Sequence, residues 1–137
     1  MRPYDVPPGR QVFSQTITPA GPDFDENGHV NNVVYLRWVQ EIATAHWRSR
    51  APAEEQARWA WVAVRHEIDY RRPILPGETA LARTWLGERR GPRYDRFVRI
   101  DGPDGEVASQ TRSEWVLIDA DTRKPARVPA WMEEMFT

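Results

Sequence analysis

The sequence predicts an α+β fold in which one long central helix is wrapped by a curved antiparallel sheet. Three observations predict it. A stretch of about 20 residues beginning at Asn31 is apolar around more than half of a helical circumference. The chain after it is dominated by β-forming segments with period-2 character, and hairpin-type turn residues separate those segments. A very apolar helix and a sheet with one apolar face cover each other.

Residues 1–9 hold three prolines and are expected to be irregular. Gln11–Thr18 reads as a first strand. Pro19, Gly21, Pro22 and Gly28 then interrupt regular structure. The helix is expected over Asn31–Arg50, about 30 Å long at 1.5 Å per residue. Val34, Tyr35, Trp38, Val39, Ile42, Ala45 and His46 fall on one arc, which Leu36, Ala43 and Trp47 extend. Arg37, Gln40, Glu41, Thr44 and Arg48 form the polar strip, so this helix should be wrapped. After Pro52 and a charged stretch, Trp59–Tyr70 alternates, with Ala60, Val62, Val64, His66, Ile68 and Tyr70 as its apolar face. Further strands are expected at Thr79–Leu86, Tyr94–Ile100 and Val107–Ile118, with turns over 87–93 and 101–105. A short helical tail follows Pro129. No repeat or linker divides the chain, so residues 1–137 are expected to form a single domain. Long sheet edges left open by such a fold are commonly paired in a dimer.

Composition narrows the chemistry. There is no cysteine, which excludes disulfides, thiolate metal sites and Cys-nucleophile catalysis. Lys124 is the only lysine, which leaves little room for Schiff-base chemistry. A net charge of −1 provides no basic field for nucleic acid or an anionic membrane surface. The first ten residues lack an apolar targeting segment, and no stretch is long and apolar enough to span a membrane, so a soluble cytoplasmic protein is expected. The G-x-S-x-G, P-loop and G-x-G-x-x-G patterns are absent. The three histidines at 29, 46 and 66 complete no H-E-x-x-H pattern, and neither a metal nor a cofactor is expected. Seven tryptophans fit a dense core, an apolar ligand pocket or an oligomer interface.

The chemistry concentrates in the loop entering the helix, Asp23-Phe24-Asp25-Glu26-Asn27-Gly28-His29-Val30-Asn31-Asn32. A carboxylate, an amide and an imidazole alternate there (Asp25, Asn27, His29), beside a helix N-terminus whose free N–H groups favour developing negative charge. An ordinary aspartate is ionised at neutral pH and can activate water or attack directly. The same residues could simply cap the helix. The loop resembles the active-site motif of hotdog-fold thioesterases of the 4-hydroxybenzoyl-CoA thioesterase superfamily, D-x-x-G-x-V-x-x-x-x-Y, spelled here by Asp25, Gly28, Val30 and Tyr35. A fuller form, D-x-N-x-H-V-N-N-x-x-Y, is similar to the acyl-ACP thioesterases and adds Asn27, His29, Asn31 and Asn32.

The resemblance implies a hotdog domain that hydrolyses an acyl thioester, with acyl-CoA as substrate and a homo-oligomer, dimer or tetramer, as the working unit. It makes Asp25 the general base or nucleophile. The backbone N–H near Asn32 would polarise the carbonyl, while Asn27 and His29 orient the reacting groups. Val30, Tyr35 and Trp38 would contact the substrate, and Arg89 and Arg90 would clamp CoA phosphates, with Arg71 and Arg72 as alternatives. An acyl carrier protein is a possible partner in the acyl-ACP variant, and a non-catalytic acyl-CoA binder is the alternative from another class. The plant acyl-ACP enzymes carry a Cys and a second acid where this chain has Tyr70-Arg71-Arg72-Pro73-Ile74, which favours a compact acyl-CoA enzyme. The 72–77 stretch is similar to a hotdog-dehydratase motif but follows the helix and lacks H-F-P-G. Glu41 is expected to pair with helix arginines, and His46 and His66 to be satisfied core or interface histidines.

Overall fold

The computed structural model describes residues 4–137; residues 1–3 of the expected irregular lead-in lie outside it. Five antiparallel strands form one sheet: β1 (Phe13–Ile17), β2 (Trp59–Tyr70), β3 (Ala80–Arg90), β4 (Arg93–Asp101) and β5 (Val107–Asp119), in the order β1-β3-β4-β5-β2. The long helix α1 (Asn32–Arg50) lies on one face of this open sheet, packed toward β1 and β3. Two short helices, α2 (Ala53–Arg58) and α3 (Ala130–Phe136), follow α1 and close the chain.

Asn31 caps α1 rather than opening it, because its side-chain oxygen accepts from the Val33 N–H at 3.0 Å. The helix buries Val34, Tyr35, Trp38, Val39, Ile42, Ala43 and His46. It is covered on that face and not wrapped all round: Val33 is 72% exposed, and Leu36 and Trp47 are half-buried. Two apolar clusters divide the interior. One joins the N-terminal part of α1 to Ile74, Ala80, Ala82, Val98 and Ile100. The other joins Trp59, Leu86, Tyr94 and Leu117 to Met132 and Phe136 of α3.

β2 has the expected bounds, but its faces differ from the simple alternation. A bulge between Ala63 and Arg65 inserts one residue against β5 and reverses the parity. Trp61 and Ala63 therefore turn inward, while Ala60, Val62 and Val64 of the expected apolar face are exposed. The expected turn over 87–93 is mostly strand, and the hairpin tightens to Gly91-Pro92. Gly87 permits this, since a Cβ there would meet the Phe97 ring at 2.6 Å. The charged 53–58 stretch is helical, with Glu54 and Glu55 in its first turn and Arg58 in its last, as the helix dipole favours.

Candidate active site

The loop before α1 is built around the Asp25 carboxylate. Its Oδ1 accepts from the Asn27 N–H at 2.9 Å and the His29 N–H at 3.2 Å, an Asx-type arrangement that fixes the side chain against its own loop. The Asp25 N–H donates to the His29 carbonyl at 2.8 Å, and the Gly28 N–H donates to the Asp25 carbonyl at 3.1 Å. Gly28 sits at φ 74°, a left-handed conformation needed to turn the chain back within this spacing. Asp25 Oδ2 has no donor among the described residues and is the free oxygen of the group.

Two anchors hold the loop to the body. The Val30 N–H donates to the Ile74 carbonyl at 3.2 Å, and the Asn31 N–H donates to the Asp23 carbonyl at 2.8 Å. Asp23 is buried, which pushes its carboxyl up, but the Ala20 N–H and the Arg37 guanidinium outweigh burial and hold it below its ordinary value. Arg37 also pairs with Glu41 one turn along the exposed side of α1, so Glu41 faces solvent and not the loop.

Beside Asp25 lies a recess of about 230 Å³, shared by His29, Val30, Asn32, Tyr35 and Tyr70 and bordered by Arg71, Arg72 and Pro73. In the first turn of α1, Val33 N–H is taken by the cap and Val34 N–H by the Asn31 carbonyl. The Asn32 N–H has no acceptor among the described residues, which leaves one backbone donor at the recess. Tyr70 donates its hydroxyl to the Asn32 carbonyl at 3.1 Å and sets its ring 5.6 Å from that of Tyr35. Burial pushes both hydroxyls up, so they remain protonated donors at neutral pH. Among the described residues no group of three or more His, Asp or Glu is placed to hold a metal ion, and no helix is long and apolar enough to cross a membrane.

Five of the expected site residues meet at this recess: Asp25, His29, Val30, Asn32 and Tyr35. The Asn27 side chain is exposed and outside the lining; its backbone N–H is what reaches Asp25. Trp38 lies one turn deeper, 3% exposed, with its ring edge-on to Tyr35 at 5.3 Å. Arg89 and Arg90 are not brought to the recess. Arg89 pairs with Glu133 at 3.0 Å, and Arg90 grips both oxygens of Asp95 and reaches Glu114. Those carboxylates hold the two guanidinium groups at the β3–β4 end, and the arginines that border the recess are Arg71 and Arg72, of which Arg72 pairs with Asp104 at 3.3 Å. Tyr70 is a site residue beyond those expected, and its place on the period-2 face at the end of β2 is the signal that points to it.

The model of the Thioesterase-like superfamily matches residues 22–136. The Bacillus subtilis protein named "Putative acyl-CoA thioesterase YneP" is 27% identical over 104 residues, covering 74% of this chain and 75% of that one. A Thermus thermophilus thioesterase solved with coenzyme A and zinc superposes with a TM-score of 0.78 at 25% identity, over 93% of this chain and 98% of that one. The 1,4-dihydroxy-2-naphthoyl-CoA thioesterase Slr0204 from Synechocystis shares the fold at 18% identity, with a TM-score of 0.77 over 91% and 96% of the two chains. With the matched segment running from the carboxylate loop to the last helix, the chain belongs to the Thioesterase-like superfamily and is a hotdog-fold thioester hydrolase.

Proposed function

We propose that this chain hydrolyses acyl-CoA or aryl-CoA thioesters to the free acid and CoA at the Asp25 recess. The observation that carries the reading is the pairing of a free carboxylate oxygen with a free backbone donor: Asp25 Oδ2 and the Asn32 N–H belong to one recess. The donor stabilises the oxyanion as the thioester carbonyl becomes tetrahedral. Asp25 takes the proton of the attacking water, or attacks directly to form a mixed anhydride that water then opens; either way the C–S bond breaks and the thiolate leaves with a proton. Asn27 and His29 act as positioning residues through the N–H groups that hold Asp25 Oδ1. Arg71 and Arg72 at the border are the phosphate contacts in this reading.

A second copy completes the assembly. β2 is an edge strand of 12 residues with Val62 and Val64 about half exposed, a pattern that invites antiparallel pairing with another β2. Val64→Lys should leave a monomer in analytical ultracentrifugation where the unmodified chain is a dimer; a monomeric unmodified chain contradicts the pairing.

The function itself is tested by thiol release from matched acyl and aryl thioesters of CoA, pantetheine and acyl carrier protein. Turnover is expected, with KM lower for CoA than for pantetheine because only CoA brings phosphates to Arg71 and Arg72. Binding without thiol release makes the chain a binding protein, and a preference for the protein carrier makes it an acyl-ACP enzyme.

A further inference from the structure

Tyr70 is the last residue of β2, and the sheet fixes its place. It pairs with Ser109 of β5. The Arg71 and Arg72 N–H groups then both donate to the Ala108 carbonyl, at 2.8 and 3.2 Å, which turns the chain out of the strand directly after it. The Tyr70 ring stands edge-on to that of Tyr35, 5.6 Å away, and its hydroxyl donates across to the Asn32 carbonyl at 3.1 Å. A side chain of the edge strand therefore reaches the first turn of α1, at the residue whose N–H is the free donor of the recess.

That bond meets no structural need. The unpaired carbonyls of a helix are those of its last turn, whereas a first-turn carbonyl already accepts from the N–H four residues on. Asn32 is the first residue of α1, so the Tyr70 hydroxyl is a second donor to an oxygen with two lone pairs. Tyr70 is 45% exposed and water would serve its hydroxyl as well, so the bond contributes little to stability. Its effect is geometric. The peptide unit from Asn32 to Val33 is held at both ends, its carbonyl by Tyr70 and its N–H by the Asn31 side-chain oxygen at 3.0 Å. On the other side of Asn32, the Asn31 carbonyl accepts from the Val34 N–H at 2.9 Å. Three bonds thus fix the two peptide units that flank Asn32 and leave its own N–H unused. An oxyanion donor works by being aimed before the charge develops, and a small displacement weakens it.

We propose that Tyr70 is a positioning residue for thioester hydrolysis: its hydroxyl, by holding the Asn32 carbonyl, aims the Asn32 N–H at the reacting carbonyl. The inference rests on the hydrolysis proposed at Asp25 and adds to it a hydroxyl from another element. Tyr70→Phe keeps the ring against Tyr35 and removes only the hydroxyl. In this variant kcat for thiol release should fall about tenfold, with KM within about twofold and the thermal unfolding midpoint unchanged. In the Tyr70→Phe, Asn31→Ala double variant the loss in kcat should depart from the product of the two single losses, because both side chains hold one peptide unit. Unchanged kcat in Tyr70→Phe, a raised KM with unchanged kcat, or single losses that simply multiply overturns the role of Tyr70 and leaves the reaction at Asp25 standing. Absence of turnover in the unmodified chain, or full turnover in Asp25→Asn, overturns instead the reading on which this role rests.

Discussion

The two ends of α1 carry opposite chemistry. At its N-terminus an anionic group, Asp25, is held at an open recess by backbone N–H donors, with arginines at the border. Toward its C-terminus a cation, Arg96, is buried among tryptophans with only neutral acceptors, His46 Nδ1 at 3.0 Å and Thr84 Oγ1 at 2.9 Å. The sheet face away from α1 offers a third arrangement, in which Arg90 and Arg112 each meet the Asp95 carboxylate. Asp25 and Arg96, at the two ends of α1, have no ion-pair partner among the described residues. The contrast locates candidate ligand positions, because a buried charge without a counter-ion is unfavourable unless a partner completes it.

The comparison can be broken from the C-terminal end first. His46 is completely buried, and burial with the neighbouring Arg96 charge pushes its pKa down to about 3, against 6.5 when exposed. The folded state therefore binds fewer protons than the unfolded state below pH 6.5, and stability present above that pH is lost as pH falls toward 3. The expected loss approaches about 1.4 kcal/mol per pH unit within that window. Urea unfolding across pH 7 to 4 should show this slope, and His46→Asn, which keeps an acceptor for Arg96, should flatten it. An unchanged slope would mean that other groups drive acid unfolding.

A smaller effect sharpens the N-terminal end. Asn31→Ala removes the cap from Val33 N–H and should lower stability by about 1 kcal/mol, read as a shift in the urea midpoint. It should also reduce kcat more than it raises KM, since a frayed first turn misplaces the Asn32 N–H at the reacting carbonyl. A pure stability loss with unchanged kcat would make the cap structural only.

Much of the N-terminal end is legible in the sequence because its contacts are local. Asp25, Asn27, Gly28 and His29 are tied together by hydrogen bonds within five residues, so residues close in sequence set the shape of the loop. The strand order and the surroundings of Arg96 depend on pairings between distant segments and were out of reach in that way. The β2 faces were misassigned because a single inserted residue at the 63–65 bulge reverses parity, and nothing in Trp-Val-Ala-Val-Arg marks it. Arg89 and Arg90 looked available in a turn because their acids, Glu133, Asp95 and Glu114, lie on other elements. Arg96 was a readable exception, sharing the period-2 face of Tyr94, Val98 and Ile100. Its lack of a carboxylate appears only in three dimensions.

The proposed function requires that Asp25 does chemistry and does not merely brace its loop. Asp25→Asn retains an oxygen that can accept from the Asn27 and His29 N–H groups, so the fold should survive. The direct measurement is kcat for thiol release from the best acyl-CoA substrate by this variant, beside its thermal unfolding curve. A fall of about 10²–10⁴-fold with an unchanged unfolding midpoint is the predicted result. Full turnover in a folded Asp25→Asn chain would contradict the account and leave Asp25 as a structural residue of the loop.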